Sequence, residues 1–221
     1  MNMPLPPPLP GTLPHFLLWM GDSGLATVAT AAMVLALALG RTTRGAAVRW
    51  AGAFVGVTSL VFATKLGLFG WGEGIAALDF RGPSGHATLS AFVWPLCARL
   101  LTMRAGRPLR LAALAVGSAA AAGTAGVLVA FGFHSGAEVA AGSLLGGGAA
   151  WTCIRRTQAI EPPLPGITVL AALLIVASVG LQHGRELPAL VRFKWKAHEM
   201  VASEMPRWSK ENVRFGGVTH R

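Results

Sequence analysis

Two histidines stand at the mouths of apolar stretches. His86 lies in FRGPSGHATLS (80–90) and His134 in GFHSGAEVAAG (132–142). The same segments hold Arg81, Ser84, Gly85 and Glu138, and Lys65 sits near the end of the preceding apolar run. Pro83 and Gly85 open a helix whose first backbone N–H groups have no intrahelical partner. With the helix dipole, those donors attract phosphate-like anions. Ser84 adds a hydroxyl, and Lys65 and Arg81 add positive charge. His134 and Glu138 are four residues apart, so one helix face is expected to carry both. A carboxylate beside an imidazole fixes its tautomer and raises its basicity. The pair of histidines suggests a nucleophile oriented by Glu138 and a separate proton donor. Each residue alone has a plainer role: a cap, a snorkelling lysine, a headgroup-binding arginine, or half of a metal site. Glu73 and Asp79 are the nearby acids and no cysteine joins the cluster, so neither a metal nor a cofactor is expected.

What positions these residues is an oily chain. Of its 221 residues 53% are hydrophobic and 13% charged, where soluble domains carry roughly a quarter charged. Six apolar stretches stand out, at about 24–40, 48–70, 85–101, 109–133, 134–153 and 167–181. Each is near the roughly 17–25 residues that span a bilayer as a helix, the third and sixth only just. Period-2 alternation is absent, which argues against a barrel. The expected fold is therefore all-α, an integral membrane bundle of about six helices over 24–182. It follows a Pro-rich segment (1–23) that lacks the basic start of a signal peptide. The basic tail, 183–221, repeats Leu190, Phe193, Ala197 and Val201 at helical spacing, as an interfacial helix or a solvated tail would.

Arginines mark alternate connections: Arg41, Arg44 and Arg49, then Arg104, Arg107 and Arg110, then Arg155 and Arg156. Positive-inside reasoning puts those connections in the cytoplasm and the two histidine connections outside. The net charge of +10 then reads as a topology signal and a partner for anionic lipid headgroups, with no nucleic acid implied. Cys97 and Cys153 lie inside apolar runs and read as buried thiols.

At these residues the chain resembles the type 2 phosphatidic acid phosphatases, which share their fold with vanadium haloperoxidases. That family has a lysine followed by Arg-Pro, then Pro-Ser-Gly-His, then Ser-Arg-x5-His-x3-Asp. Pro83, Ser84, Gly85 and His86 complete the second motif, Lys65 fits the first, and His134 falls on the histidine of the third. The likeness covers about residues 20–155. The Arg-Pro is not visible, Val127 and Leu128 stand where Ser-Arg would be, and Glu138 replaces the aspartate. The resemblance implies a lipid-phosphate phosphatase of the inner (plasma) membrane, acting without metal on the periplasmic or outer face. His134 would attack phosphorus, His86 would protonate the leaving alcohol and Glu138 would orient His134. Lys65, Ser84 and Gly85 would hold the phosphate, and Arg81 is the candidate to replace the arginine missing at 128. The alternative is a homologue that binds anionic lipid or phosphate without turnover.

Overall fold

A computed structural model describes residues 12–71, 80–157 and 164–184. Its elements are seven helices: α1 (Thr12–Met20), α2 (Ser23–Ala38), α3 (Arg44–Trp71), α4 (Gly85–Leu101), α5 (Arg107–Ala130), α6 (Gly136–Arg156) and α7 (Leu164–Gly184). No strand occurs among the described residues. The six apolar stretches correspond to α2 through α7. The tail pattern at 190–201, and Glu73 and Asp79, lie outside the described residues.

Local chemistry fixes where the helices start. Asp22 caps α2, its Oδ1 accepting from the N–H groups of Gly24 (2.9 Å) and Leu25 (3.2 Å). Ser84 caps α4, and α5 opens with Pro108 in its first turn, where a missing N–H costs nothing. Thr43 closes the turn between α2 and α3, its buried hydroxyl donating to the carbonyls of Leu37 and Gly40.

The N-terminal stretch holds a helix that composition alone sets aside as part of the Pro-rich segment. α1 meets α2 at a 55° bend. A helix end leaves carbonyls without intrahelical partners, and here side chains supply the donors. Trp94 Nε1 donates to the Met20 carbonyl (2.9 Å) and Thr124 Oγ1 to that of Leu17 (2.8 Å). Those bonds seat the break between α1 and α2 against α4 and α5.

α4 is the central helix, packed against α2, α3, α5 and α6. Phe92, Leu96 and Leu100 on it are fully buried, together with Met33 and Leu37 of α2 and Trp50 of α3. The outer surface is also apolar: Val48, Val55 and Phe62 on α3, Val116 on α5, Leu144 on α6 and Val176 on α7 are exposed. Residues Arg44–Gly67 of α3 and the whole of α5 are long and apolar enough to cross a membrane, and the bent α1–α2 pair makes a third candidate. Apolar side chains both inside and out fit a protein whose solvent is lipid.

Two glycines on α6 let α4 come close. A Cβ at Gly142 would stand 2.6 Å from the Ser84 carbonyl oxygen, and one at Gly146 would stand 2.0 Å from that of Thr88. Both atoms are backbone, so nothing flexible can yield. The Gly-x-x-x-Gly spacing brings two backbones together, as in membrane helix pairs. This contact brings the start of α6 beside the start of α4.

Candidate active site

Glu138 is the hub. It lies in the first turn of α6 and is only 6% exposed. Its Oε1 accepts the backbone N–H of Arg81 (2.9 Å). Its Oε2 faces His134 Nδ1 at 2.7 Å and accepts the Ser135 N–H at 3.3 Å. Its backbone carbonyl accepts the Ser84 N–H at 2.9 Å. One residue thus ties the loop before α4, the cap of α4 and the turn before α6.

His134 does not share a helix face with Glu138, because α6 starts at Gly136. The pair forms through a capping box. Ser135 is the N-cap, its hydroxyl accepting the Glu138 N–H (3.2 Å), while the Glu138 side chain folds back over the cap. The turn ahead of it is set by Gly132 at φ +69° and by the Leu128 carbonyl, which accepts from the N–H groups of Phe133 and His134. The carboxylate cannot donate, so Nδ1 carries the shared proton, and in the neutral ring Nε2 is the nitrogen with the lone pair. The His134 side chain is 21% exposed, enough to leave an edge of the ring accessible.

Ser84 is fully buried. Its Oγ accepts the Ala87 N–H (3.4 Å), and its carbonyl accepts the Thr88 hydroxyl (2.8 Å). The hydroxyl expected to face an anion therefore also serves the start of α4. Gly85 and half-buried His86 follow in the first turn of that helix. The His86 Cβ lies against Gly21, where an added Cβ would approach to 3.0 Å. Ala87, one residue on, packs with Leu128 and Val139. The residue after His86 thus contacts both α5 and α6.

Arg81 and Lys65 are brought in less directly. Arg81 is exposed, but its backbone is pinned to Glu138. Gly82 follows at φ +94°, a conformation that favours glycine, and a Cβ there would meet the Thr64 hydroxyl at 3.2 Å. The loop therefore rests on α3 beside half-buried Lys65. Leu128, at the position of the missing arginine, is 1% exposed and packs against Ala87 and Val139. An apolar side chain fills the space between the starts of α4 and α6. Among the described residues no group of three or more His, Cys, Asp or Glu could hold a metal ion. Cys97 and Cys153 are buried free thiols.

Reasoning from sequence missed Ser135, Gly82, Gly142 and Gly146, and the contribution of α1. Two of these had readable signals: Ser-Gly-Ala-Glu at 135–138 is a capping-box pattern, and Gly142-x-x-x-Gly146 is a close-packing pattern.

The described residues define an all-helical protein with membrane-length apolar helices and a buried carboxylate paired with a half-buried histidine. Over 173 residues the chain is 35% identical to an uncharacterized 22.5 kDa protein in the cps region of Klebsiella pneumoniae, an alignment covering 77% of this chain and 83% of that one. The chain belongs to the family of that protein. No protein-family model and no solved structure matches it.

Proposed function

We propose that the protein is a membrane phosphatase related to the type 2 phosphatidic acid phosphatases, hydrolysing the phosphate or pyrophosphate headgroup of a lipid. The observation that carries this reading is the 2.7 Å contact between His134 Nδ1 and Glu138. It leaves Nε2 of an accessible ring as a nucleophile. Nε2 attacks phosphorus, the P–O bond to the leaving group breaks, and His86 gives that oxygen its proton. Water then attacks the phosphohistidine and returns a proton to His86, and inorganic phosphate leaves. The N-terminal end of α4, with its positive dipole, and the cationic Arg81 and Lys65 would stabilise the negative charge of the transferring group. This chemistry calls for no metal.

In this reading the six apolar stretches cross the inner membrane six times, the bent α1–α2 pair making the first pass. The histidine end faces the periplasm or outside, and the arginine-rich turns face the cytoplasm. A second reading rests on Leu128: without an arginine there, the site binds anionic lipid or phosphate and does not turn it over. A charge-assisted contact to the transition state is worth about 100-fold or more in rate. Arg81, the arginine nearest to Ser84 in the sequence, is our candidate to compensate.

The test is phosphate release from a panel of lipid phosphates by the purified protein in detergent, without added metal. Release by wild type, lost in His134→Ala, supports the enzyme. Lipid-phosphate binding without release supports the second reading. If Arg81→Ala releases phosphate as fast as wild type, Arg81 is not the substitute clamp.

A further inference from the structure

At the end of the molecule opposite the histidines, a groove of about 410 Å³ runs between α3 and α6. Its α3 wall is Arg49, Ala53, Gly56, Val57 and Leu60, and its α6 wall is Leu145, Ala149, Thr152, Cys153 and Arg156. Both sets have the same helical spacing, so each is one continuous face. The helices run antiparallel, which puts the arginine that begins one set and the arginine that ends the other at the same end of the groove. The remaining wall is almost wholly apolar.

Length and charge identify what fits. From 49 to 60, or from 145 to 156, the wall extends about 16 Å along the helix axis. That is close to half of a bilayer core of roughly 30 Å, the depth of one leaflet. Arg49 and Arg156 are both exposed. Among the described residues no carboxylate stands at this end, since Asp22 and Glu138 both belong to the other. A cationic mouth over a one-leaflet apolar trough is the complement of an anionic phospholipid.

We propose that this groove holds an anionic phospholipid of the cytoplasmic leaflet. Its phosphate lies between Arg49 and Arg156, and one acyl chain runs along Gly56, Val57, Leu60 and Leu145. The site is separate from the histidines and does not depend on phosphatase chemistry. It rests on the six-span reading, in which α3 and α6 cross the bilayer.

Gly56 gives a test that leaves the charges in place. A Cβ there meets nothing within 4 Å, and Gly56 lines the groove, so Gly56→Leu adds bulk on the groove wall. The full chain in detergent is titrated with phosphatidylglycerol and bound lipid is counted by native mass spectrometry, with thermal melting to confirm folding. Arg49→Ala and Arg156→Ala should each weaken binding about fivefold, with Arg→Lys at both positions restoring most of it. Gly56→Leu should weaken it at least as much. Arg155→Ala should leave binding unchanged, because that guanidinium lies over the Trp151 ring, 4.8 Å from its centroid. Phosphatidylglycerol binding unaltered in the double arginine variant or in Gly56→Leu overturns the proposal. So does equal binding of phosphatidylcholine, or displacement of the lipid by millimolar inorganic phosphate. Extraction of the protein from membranes by alkaline carbonate would instead overturn the six-span reading itself.

Discussion

Glu138 has to reach Arg81 N–H, Ser135 N–H and His134 Nδ1 from one backbone position, so the length of its side chain matters. Glu138→Gln replaces one acceptor oxygen with a donor and disturbs the tautomer of His134. Phosphate release should fall by about 10²–10⁴-fold, the usual worth of such a proton relay. Glu138→Asp keeps the charge but retreats by one methylene, so its rate should fall between those of wild type and Glu138→Gln. Ser135→Ala removes the reciprocal cap and should cost about 1 kcal/mol of stability, read as a lower melting temperature. At this scale the sequence was informative about identity and less so about geometry. The His-x3-Glu spacing named the right pair, but a shared helix face was the wrong reason for it. Four-residue spacing fits a helix face and a capping box equally well, and only the position of the first helical residue separates them. Leu128 shows the same limit: its departure from the motif was visible, whereas its burial against Ala87 and Val139 was not.

Helix spacing decides whether those residues meet at all. The Ser84-to-Glu138 backbone bond requires α4 and α6 in near backbone contact, and Gly142 and Gly146 permit it. Gly146→Ala should push the helices apart, cost about 1–3 kcal/mol or more as an overpacked contact, and lower phosphate release with it. Gly147→Ala is the control. A Cβ there meets nothing within 4 Å, so melting temperature should hold or rise slightly, since alanine favours helix over glycine. The apolar runs announced α2 to α7 because lipid-facing and core-facing positions are both hydrophobic and leave long unbroken signals. α1 was hidden by the prolines before it. Its stabilisation comes from Trp94 and Thr124, donors far away in sequence.

At the scale of the whole molecule, among the described residues, the turns bearing Arg41, Arg44, Arg104, Arg107, Arg155 and Arg156 lie at one end, and His86 and His134 with Asp22 and Glu138 lie at the other. The alternation of arginine-bearing and arginine-poor connections was legible in the sequence because it needs no knowledge of packing, and in the six-span reading it sets the sidedness. The groove between α3 and α6 was not foreseen, since it depends on how two faces distant in sequence come together. Sidedness can be read with single cysteines, the native thiols being buried and giving little background. Gly136→Cys should react with a membrane-impermeant maleimide added outside intact cells, and Thr42→Cys should react only after permeabilisation. The reverse pattern would invert the topology. The central claim, a phosphate carried on His134, has a direct measurement. Purified protein is mixed with lipid phosphate labelled in its headgroup, quenched in alkali to preserve phosphohistidine, and examined for protein-bound label by peptide mass spectrometry. The account predicts label on His134 in wild type and none in His134→Gln. Phosphate release without protein-bound label, or release that persists in His134→Gln, would contradict it.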